Sequence, residues 1–343
     1  MTRGKFAAWA ALAACAVSAA LAGAGVVYLS HPQGAEAADS VSLRVVEGSS
    51  ARDVANLLEE KGVVGPAWLM GAAMRLYGVQ RHLKAGEYLF RLPVSPAKVI
   101  DVLSRGRIVS VPVTIPEGSD LWETAALLAE RRIAGKEELL AAFEDPSLIR
   151  QVDAKAETLE GFLFPETYRF PREYEATRVA QELVETFLRR FYQARREQLE
   201  VSALDLHSIV TLASLVEKET ASASERPLIA GVFLTRLARG MLLQCDPTVI
   251  YALKLDGHWR GNIRRGDLRR KHPYNTYVSK GLPPGPIASP GLESLDAVLE
   301  PAMTGDLYFV SRGDGTHEFS HTLAEHQRAV RRFQLHRRRR DSP

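Results

Sequence analysis

Residues 43–58 read LRVVEGSSARDVANLL, and residues 111–128 read VPVTIPEGSDLWETAALL. Each stretch begins like a short strand, passes through Glu-Gly-Ser, and continues with apolar residues at helical spacing. Ser50 and Asp120 are each followed three positions later by an acidic residue, which predicts a capping box at both helix starts. The chain therefore carries two copies of a small strand-turn-helix module, and its fold is expected to be α+β.

Upstream of the first copy, residues 6–29 carry no charge, and they are long enough to cross the roughly 30 Å hydrocarbon core of a bilayer. Arg3 and Lys5 precede this segment, and positive charge tends to stay on the cytoplasmic side. We predict a single-pass transmembrane anchor at 6–29. Residues 1–5 would then form a cytoplasmic tip, and the rest of the chain would lie in the periplasm or another extracytoplasmic space.

Two other interpretations of the N-terminal segment remain open. A cleavable signal peptide would place its cleavage site near Ala35-Glu36-Ala37. A lipoprotein would be processed at Cys15, although apolar and small residues continue beyond that position to Leu29.

The composition is that of an ordinary globular protein, with 343 residues, 46% hydrophobic residues and a net charge of +3. That length suits about two domains. The two cysteines have no metal-ligand spacing and are not expected to form a bridge, which excludes a disulfide framework or a zinc finger. Residues 336–343 form a basic tail. We expect the tail to be solvated, with attraction to anionic lipid or polymer as the alternative, and we predict no nucleic-acid partner.

The candidate catalytic residue follows the apolar run in residues 209–220, IVTLASLVEKET. A helix this apolar is buried on nearly all sides. Glu217 is its first charged residue, so it is expected at the edge of the core, where desolvation favours the protonated form of a carboxyl group. Glu219 lies about 200° further around the helix and cannot share that environment. Alternatively, Glu217 has a structural role and pairs with Arg226 or Arg236.

Polar and aromatic residues downstream favour the catalytic interpretation. A loop dense in Pro and Gly at 281–290 has few backbone states to lose and can present neighbouring side chains rigidly. Aromatic rings beside amide and carboxylate groups suit a sugar polymer. The candidates for substrate binding, or for orienting Glu217, are Gln244, Asp246, Thr248, Tyr251, Tyr274, Asn275 and Tyr277, with Glu160 as a weaker candidate.

One motif points to different chemistry. Residues 317–321, HEFSH, match the HExxH pattern of zinc peptidases, which requires both histidines on one helix. Here Asp314-Gly315 predicts the tip of a β-hairpin, and the next helix is expected to begin at Thr322. The motif therefore falls in a strand and its exit, and we predict no metal ligand and no organic cofactor.

Seven motifs occur in order: LEGFLFPETY, ASLVEKET, ERPLIAGVFLTRL, LLQCDPTVIYAL, YNTY, GLPPGPIASPG and LYFVSRGDGTHEFSHTLAEH. Together they resemble the endolytic murein transglycosylase family of the MltG/YceG type. The resemblance is strong over residues 159–330 and weaker upstream. It implies LysM-like modules at 40–135 and a mixed α/β catalytic domain at 155–335. Cys245 departs from the family, in which a small hydroxyl residue is usual at that position.

The resemblance also implies a function. Enzymes of this family cleave the β-1,4 bond between N-acetylmuramic acid and N-acetylglucosamine within a peptidoglycan strand and leave a 1,6-anhydro end. The family's catalytic glutamate falls on Glu217. The expected substrate is the peptidoglycan glycan strand, and peptidoglycan synthases are expected partners in limiting strand length. The rival predictions are a non-catalytic peptidoglycan-binding scaffold and a zinc peptidase that acts on stem peptides.

Overall fold

The computed structural model describes residues 3–34 and 40–335. The candidate cleavage site at 35–37 and the basic tail at 336–343 lie outside this range. The described chain is α+β and forms two compact units, Met1–Val111 and Pro112–Pro343. The prediction of an α+β fold is confirmed.

The chain begins with helix α1, Arg3–Ser30. Within it, Leu12–Ser30 is long and apolar enough to cross a membrane, with a mean hydropathy of 2.0. This helix is compatible with a single-pass anchor and with a signal sequence. Gln33, three residues after the helix ends, exchanges backbone hydrogen bonds with Val94. The chain that leaves α1 is therefore fastened to the first unit.

The rest of the first unit consists of β1 Val41–Val45, α2 Ala51–Glu60, α3 Ala67–Leu76, β2 Gly86–Phe90 and α4 Pro96–Ser104. β1 and β2 are antiparallel, with Val41 opposite Phe90. Alternate strand residues such as Leu43 and Tyr88 are fully buried against the helices. The capping box predicted at Ser50 is present at the start of α2.

The second copy of the module comprises β3 Ser110–Thr114, α5 Leu121–Glu130, α6 Lys136–Glu144 and β4 Thr167–Pro171, with β3 hydrogen-bonded to β4. The capping box predicted at Asp120 is present, and this segment has the same strand-turn-helix order as the first. Both copies extend further than predicted, because each continues as strand, helix, helix, strand. The second copy differs in its long connection at 145–166, which contains Glu160.

The remaining elements are mostly helical: α7 Ala176–Phe187, α8 Arg196–Val201, α9 Leu206–Glu219, α10 Arg226–Ala238, α11 Asp246–Leu255, α12 Leu292–Leu299, β5 Tyr308–Ser311, β6 His317–Ser320 and α13 Leu323–Val330. Helix α9 packs against α10, α11 and α12, which explains its almost wholly apolar sequence. β5 and β6 form an antiparallel hairpin. The predicted placement of HExxH in a strand and its exit is confirmed.

The division between the two units falls at 111/112, inside the segment 40–135 that the sequence groups together. The physical reason is that the second copy packs as part of the helical unit. Its Gly118 donates a backbone hydrogen bond to Ser289, and Ser289 donates one to Ser119, at 2.9 Å each. The second copy therefore belongs with the elements around α9.

Candidate active site

Glu217 lies in the last turn of α9, directly after the buried run Ile209–Val216. Only 6% of its side chain is exposed. Oε2 accepts a hydrogen bond from the backbone N–H of Gly291 at 2.9 Å, and Oε1 accepts one from Arg226 Nη2 at 3.4 Å. The predicted position at the edge of the core is confirmed, and the carboxyl group is held at both oxygens.

Arg226 begins α10 and is buried. Its shorter bonds go to α12, with Nη1 2.5 Å from Glu293 Oε2 and Nε 3.0 Å from Ser294 Oγ. Nη2 faces Glu217 and also lies 3.6 Å from Glu117. The pairing with Arg226 that a structural role for Glu217 requires is therefore present. However, Glu217 is not the arginine's principal partner.

Glu117 is a residue of this site that the sequence analysis missed. Its nearest carboxyl oxygen and that of Glu217 lie 3.6 and 3.4 Å from the same nitrogen, Nη2 of Arg226, so the two oxygens are at most the sum of these distances, about 7 Å, apart. Burial raises the pKa of Glu117, and the nearby carboxyl of Glu217 raises it further. A second carboxyl group thus stands beside the first.

Glycines allow this close approach. A Cβ added to Gly291 would lie 2.0 Å from Glu117 Oε1, whereas one added to Gly118 would make an ordinary van der Waals contact, 3.5 Å from Glu217 Cγ. Gly118 has φ +74, a conformation that glycine adopts without steric cost. Lys218 Nζ also donates to the Gly118 carbonyl at 2.9 Å. The second Glu-Gly-Ser turn therefore forms one wall of the site. Because this turn occurs twice in the sequence, it was interpreted as part of a structural module, and its place in the site was not predicted.

Three of the predicted substrate-binding residues lie together and keep some solvent exposure. The hydroxyl of Tyr277 donates to Asp246 Oδ1 at 2.5 Å. Burial, and then this hydrogen bond, raise the pKa of Tyr277. Gln244 is exposed, has φ 53, and donates its backbone N–H to Thr276 at 3.1 Å. These side chains are accessible polar groups of the kind that a sugar requires.

Thr248 and Asn275, in contrast, are almost completely buried. Thr248 Oγ1 donates to the carbonyl of Cys245 at 2.7 Å. Asn275 Nδ2 donates to the carbonyl of Arg270 at 2.8 Å, and its Oδ1 accepts from the backbone of Tyr277 at 3.0 Å. Their polar atoms are occupied within the protein, so both are suited to positioning the loop around Tyr277.

Tyr251 and Tyr274 belong to an aromatic cluster. The Tyr251 ring lies 5.4 Å from that of Trp122 and 5.0 Å from that of Tyr274. Glu160 lies beside Tyr251 and is 2% exposed. Its Oε2 accepts from the backbone N–H of Leu121 at 3.1 Å. Glu160 therefore satisfies a backbone group at the start of α5.

Burial, together with the neighbouring Asp120 carboxylate, raises the pKa of Glu160 to about 8. Between its ordinary value and 8 the folded state holds a proton that the unfolded state releases, so the free energy of unfolding falls as pH rises through this range. We expect Glu160→Gln to be more stable than the wild type at about pH 9 and similar to it at about pH 4. Denaturant titrations at both pH values measure this difference. If the substitution changed the free energy of unfolding equally at both pH values, the raised pKa of Glu160 would be contradicted.

The Pro/Gly loop is fastened to α9 and to its surroundings. Ser214 Oγ accepts from the backbone of Ile287 at 3.1 Å. His207 lies between two acceptors, with Nδ1 2.8 Å from Asp153 Oδ2 and Nε2 2.7 Å from the carbonyl of Pro284. The hydrogen bond with Asp153 raises the pKa of His207. The loop is therefore anchored by hydrogen bonds at Pro284 and Ile287.

Two further predictions concern reactive groups. Cys15 and Cys245 are both free, and Cys245 is buried beside Glu219. Glu219 thus faces a different environment from Glu217, as its place on the helix predicted. His317 Nδ1 lies 2.7 Å from Glu225 Oε2. Within residues 3–34 and 40–335, no three His, Cys, Asp or Glu side chains are grouped so as to hold a metal ion.

The chain is similar to known proteins over most of its length. The model of the YceG-like family matches residues 43–332. An endolytic murein transglycosylase of Bacillus subtilis is 28% identical over 89% of this chain and 88% of its own length. One from Streptococcus pneumoniae is 30% identical over 84% of this chain, which spans 58% of that longer protein.

A solved structure is also similar. The crystal structure of a YceG-like protein from Listeria monocytogenes is 31% identical, with a TM-score of 0.58, and the match covers 84% of this chain and 99% of that one. Because the family match extends over most of the chain, the family resemblance predicted from the seven motifs is confirmed: this protein belongs to the YceG-like family.

Proposed function

We propose that this protein is an endolytic murein transglycosylase that cleaves the bond between N-acetylmuramic acid and N-acetylglucosamine within peptidoglycan strands. The observation that carries the proposal is the buried Glu217 carboxyl group at the end of α9, held by Gly291 and adjacent to Glu117, in a chain of the YceG-like family. The names of the similar proteins in Bacillus subtilis and Streptococcus pneumoniae support the same activity.

The reaction needs one carboxyl group in two successive protonation states, first as the acid and then as the carboxylate. Glu217 donates its proton to the glycosidic oxygen as the bond to the muramic carbon breaks, and its carboxylate then takes the proton of the same sugar's 6-hydroxyl as that oxygen closes the anhydro ring. No water is consumed. The solvent-accessible side chains of Gln244, Asp246 and Tyr277 bind the sugars, and the aromatic cluster of Tyr251 and Tyr274, with Glu160, supports them.

In this proposal Glu117 is a positioning residue. It shares Nη2 of Arg226 with Glu217, so it weakens the hold of the arginine on the reacting carboxyl group. Because about half of the Glu117 side chain is exposed, solvent screens the interaction and the effect should be moderate.

We expect Glu117→Gln to lower the cleavage rate by roughly tenfold, the equivalent of about 1.4 kcal/mol, without changing the chemistry of the product ends. Glu47→Gln, the matched change in the first Glu-Gly-Ser turn, should leave the rate unchanged. If Glu117 instead activated a water molecule, its loss would cost about 100-fold or more, and the wild-type products would carry reducing ends.

We propose the following organisation for the chain, in which 1–5 is cytoplasmic, 6–29 is a single-pass anchor, 40–135 contains LysM-like modules and 155–335 carries the catalytic residues. The strand-helix-helix-strand order of both copies supports the LysM-like assignment, with the second copy continuing past 135 to Pro171. The apolar Leu12–Ser30 supports the anchor. The catalytic residues would then act in the periplasm or another extracytoplasmic space. Peptidoglycan synthases are proposed as partners that extend the strands this enzyme shortens.

The test is to incubate the purified full-length protein in detergent with uncrosslinked glycan strands and to identify the new ends by mass spectrometry. Anhydro-muramoyl ends support the proposal. Reducing ends would contradict lytic chemistry and indicate a hydrolase. Binding without cleavage would favour the non-catalytic scaffold.

A further inference from the structure

Helix α3 presents large apolar side chains to solvent. Trp68 is 74% exposed and Leu76 is 83% exposed. They lie eight residues apart and therefore on one face of the helix. Tyr77, which follows the helix, is 57% exposed. Side chains of this size grouped on one helix face mark an interaction surface, and no role in catalysis accounts for them.

The charged side chains that this segment itself supplies are basic, although Glu59 of α2 accepts a hydrogen bond from the backbone N–H of Ala67 at 3.1 Å. From Gly62 to Gly86 the sequence contains Arg75, Arg81 and Lys84 and no Asp or Glu. All three cations are exposed. Trp and Tyr favour the boundary between acyl chains and headgroups, and clustered Lys and Arg are attracted to anionic lipids. The combination of apolar and basic groups therefore matches an anionic membrane surface.

The position of α3 in the first unit agrees with this match. Leu29, in the last turn of α1, packs against the core of the unit. Three residues after α1 ends, the side chain of Gln33 accepts a hydrogen bond from the backbone N–H of Gly65 at 2.9 Å. Gly65 lies three residues before Trp68. The start of α3 is thus beside the point where the apolar helix ends.

We propose that α3 and the turn after it rest on the anionic phospholipid surface of the membrane that α1 spans, with Trp68, Leu76 and Tyr77 inserted at the interface. The proposal rests on the anchor in the proposed function and extends it. α1 alone would leave the first unit free to tilt, whereas a second contact fixes its orientation on the membrane. A second copy of the chain is the alternative occupant of this face.

The first unit supplies a control on its opposite side. In β2, Tyr88 and Phe90 point into the core, so Leu89 points to the other face of the sheet. Leu89 is 48% exposed. Because α2 and α3 cover the core face, Leu89 faces away from them. It is an exposed apolar residue that the proposal does not place on lipid.

The experiment measures membrane depth in the full-length protein. A nitroxide is attached to Trp68→Cys, Leu76→Cys or Leu89→Cys in a Cys15→Ser background, since the native Cys245 is buried. Vesicles contain phosphatidylcholine with or without phosphatidylglycerol, and flotation first verifies insertion. We expect the nitroxides at 68 and 76 to be severalfold more accessible to oxygen than to a water-soluble nickel chelate when phosphatidylglycerol is present. The label at 89 should show the reverse.

A second variant tests the charge contribution. Replacing Arg75, Arg81 and Lys84 together by Gln should return the label at 76 towards the accessibility seen without phosphatidylglycerol. Equal nickel accessibility at 68, 76 and 89 in inserted protein would overturn the proposal. So would shielding that persists in detergent and grows with protein concentration, because that result assigns the face to a second copy. If the protein failed to float with the vesicles, the membrane anchor would be refuted, and the proposed lipid contact of α3 with it. The cleavage test uses soluble strands, so its outcome does not depend on the result of the membrane experiment.

Discussion

Glu217→Gln is expected to reduce strand cleavage by about 100- to 10,000-fold, the range that loss of a general acid and base produces. Gln has nearly the same shape as Glu and can still accept the hydrogen bond from Gly291, so the site should stay assembled. It can neither donate the proton that the leaving oxygen needs nor accept one from the 6-hydroxyl. The measurement is the initial rate of appearance of anhydro-muramoyl ends, with circular dichroism to establish folding.

Glu219→Gln is the matched control, since Glu219 lies on the same helix and faces Cys245. It should keep most of the activity. A folded Glu217→Gln protein that cleaved strands at the wild-type rate would contradict the assignment of Glu217 as the catalytic acid and base. A folded Glu217→Gln protein that no longer cleaved strands but kept its full biological effect in cells would instead support the scaffold interpretation.

Gly161→Ala is expected to lower the free energy of unfolding of the second unit by about 2–5 kcal/mol, from backbone strain and overpacking together. Gly161 has φ +85, and a Cβ there would lie 2.6 Å from Pro286 Cβ and 2.8 Å from Val210 Cγ1. Neither neighbour can move easily, because Val210 is in the buried part of α9 and Pro286 is in the anchored loop. The clash therefore forces α9 and the loop apart.

Gly261→Ala is the control that separates backbone strain from the steric clash with Pro286 and Val210. Gly261 has the same φ of +85 and no atom within 4 Å of an added Cβ, so it should cost only the backbone term, about 1–2 kcal/mol. Denaturant unfolding of the wild type and the two variants gives the comparison. Equal losses from both substitutions would mean that Pro286 and Val210 yield to the added methyl group.

Gly161→Ala should also lower the rate of strand cleavage. The Pro/Gly loop continues from Pro286 to Gly291, whose N–H contacts Glu217. A displaced loop would misplace that donor, and small displacements of positioned groups are costly to rates. We therefore expect any residual folded Gly161→Ala protein to cleave strands slowly.

Much of the local structure follows from the sequence alone. The capping boxes at Ser50 and Asp120, the buried helix before Glu217 and the hairpin with Asp314-Gly315 at its tip were all predicted, because each depends on residues within a few positions of one another. The seven motifs likewise sufficed to predict the family. Side-chain periodicity also separated Glu217 from Glu219.

Only the tertiary structure places Glu117 beside Glu217, buries Glu160 against the start of α5, and commits the polar atoms of Thr248 and Asn275 to the protein interior. These features depend on contacts between segments far apart in the chain, and no local pattern determines which segments meet. The two Glu-Gly-Ser turns are an example, since their three residues are identical and do not show which turn lies at the site. The second becomes part of the candidate active site because Gly118 and Ser119 pair with Ser289, which brings the turn to the end of α9.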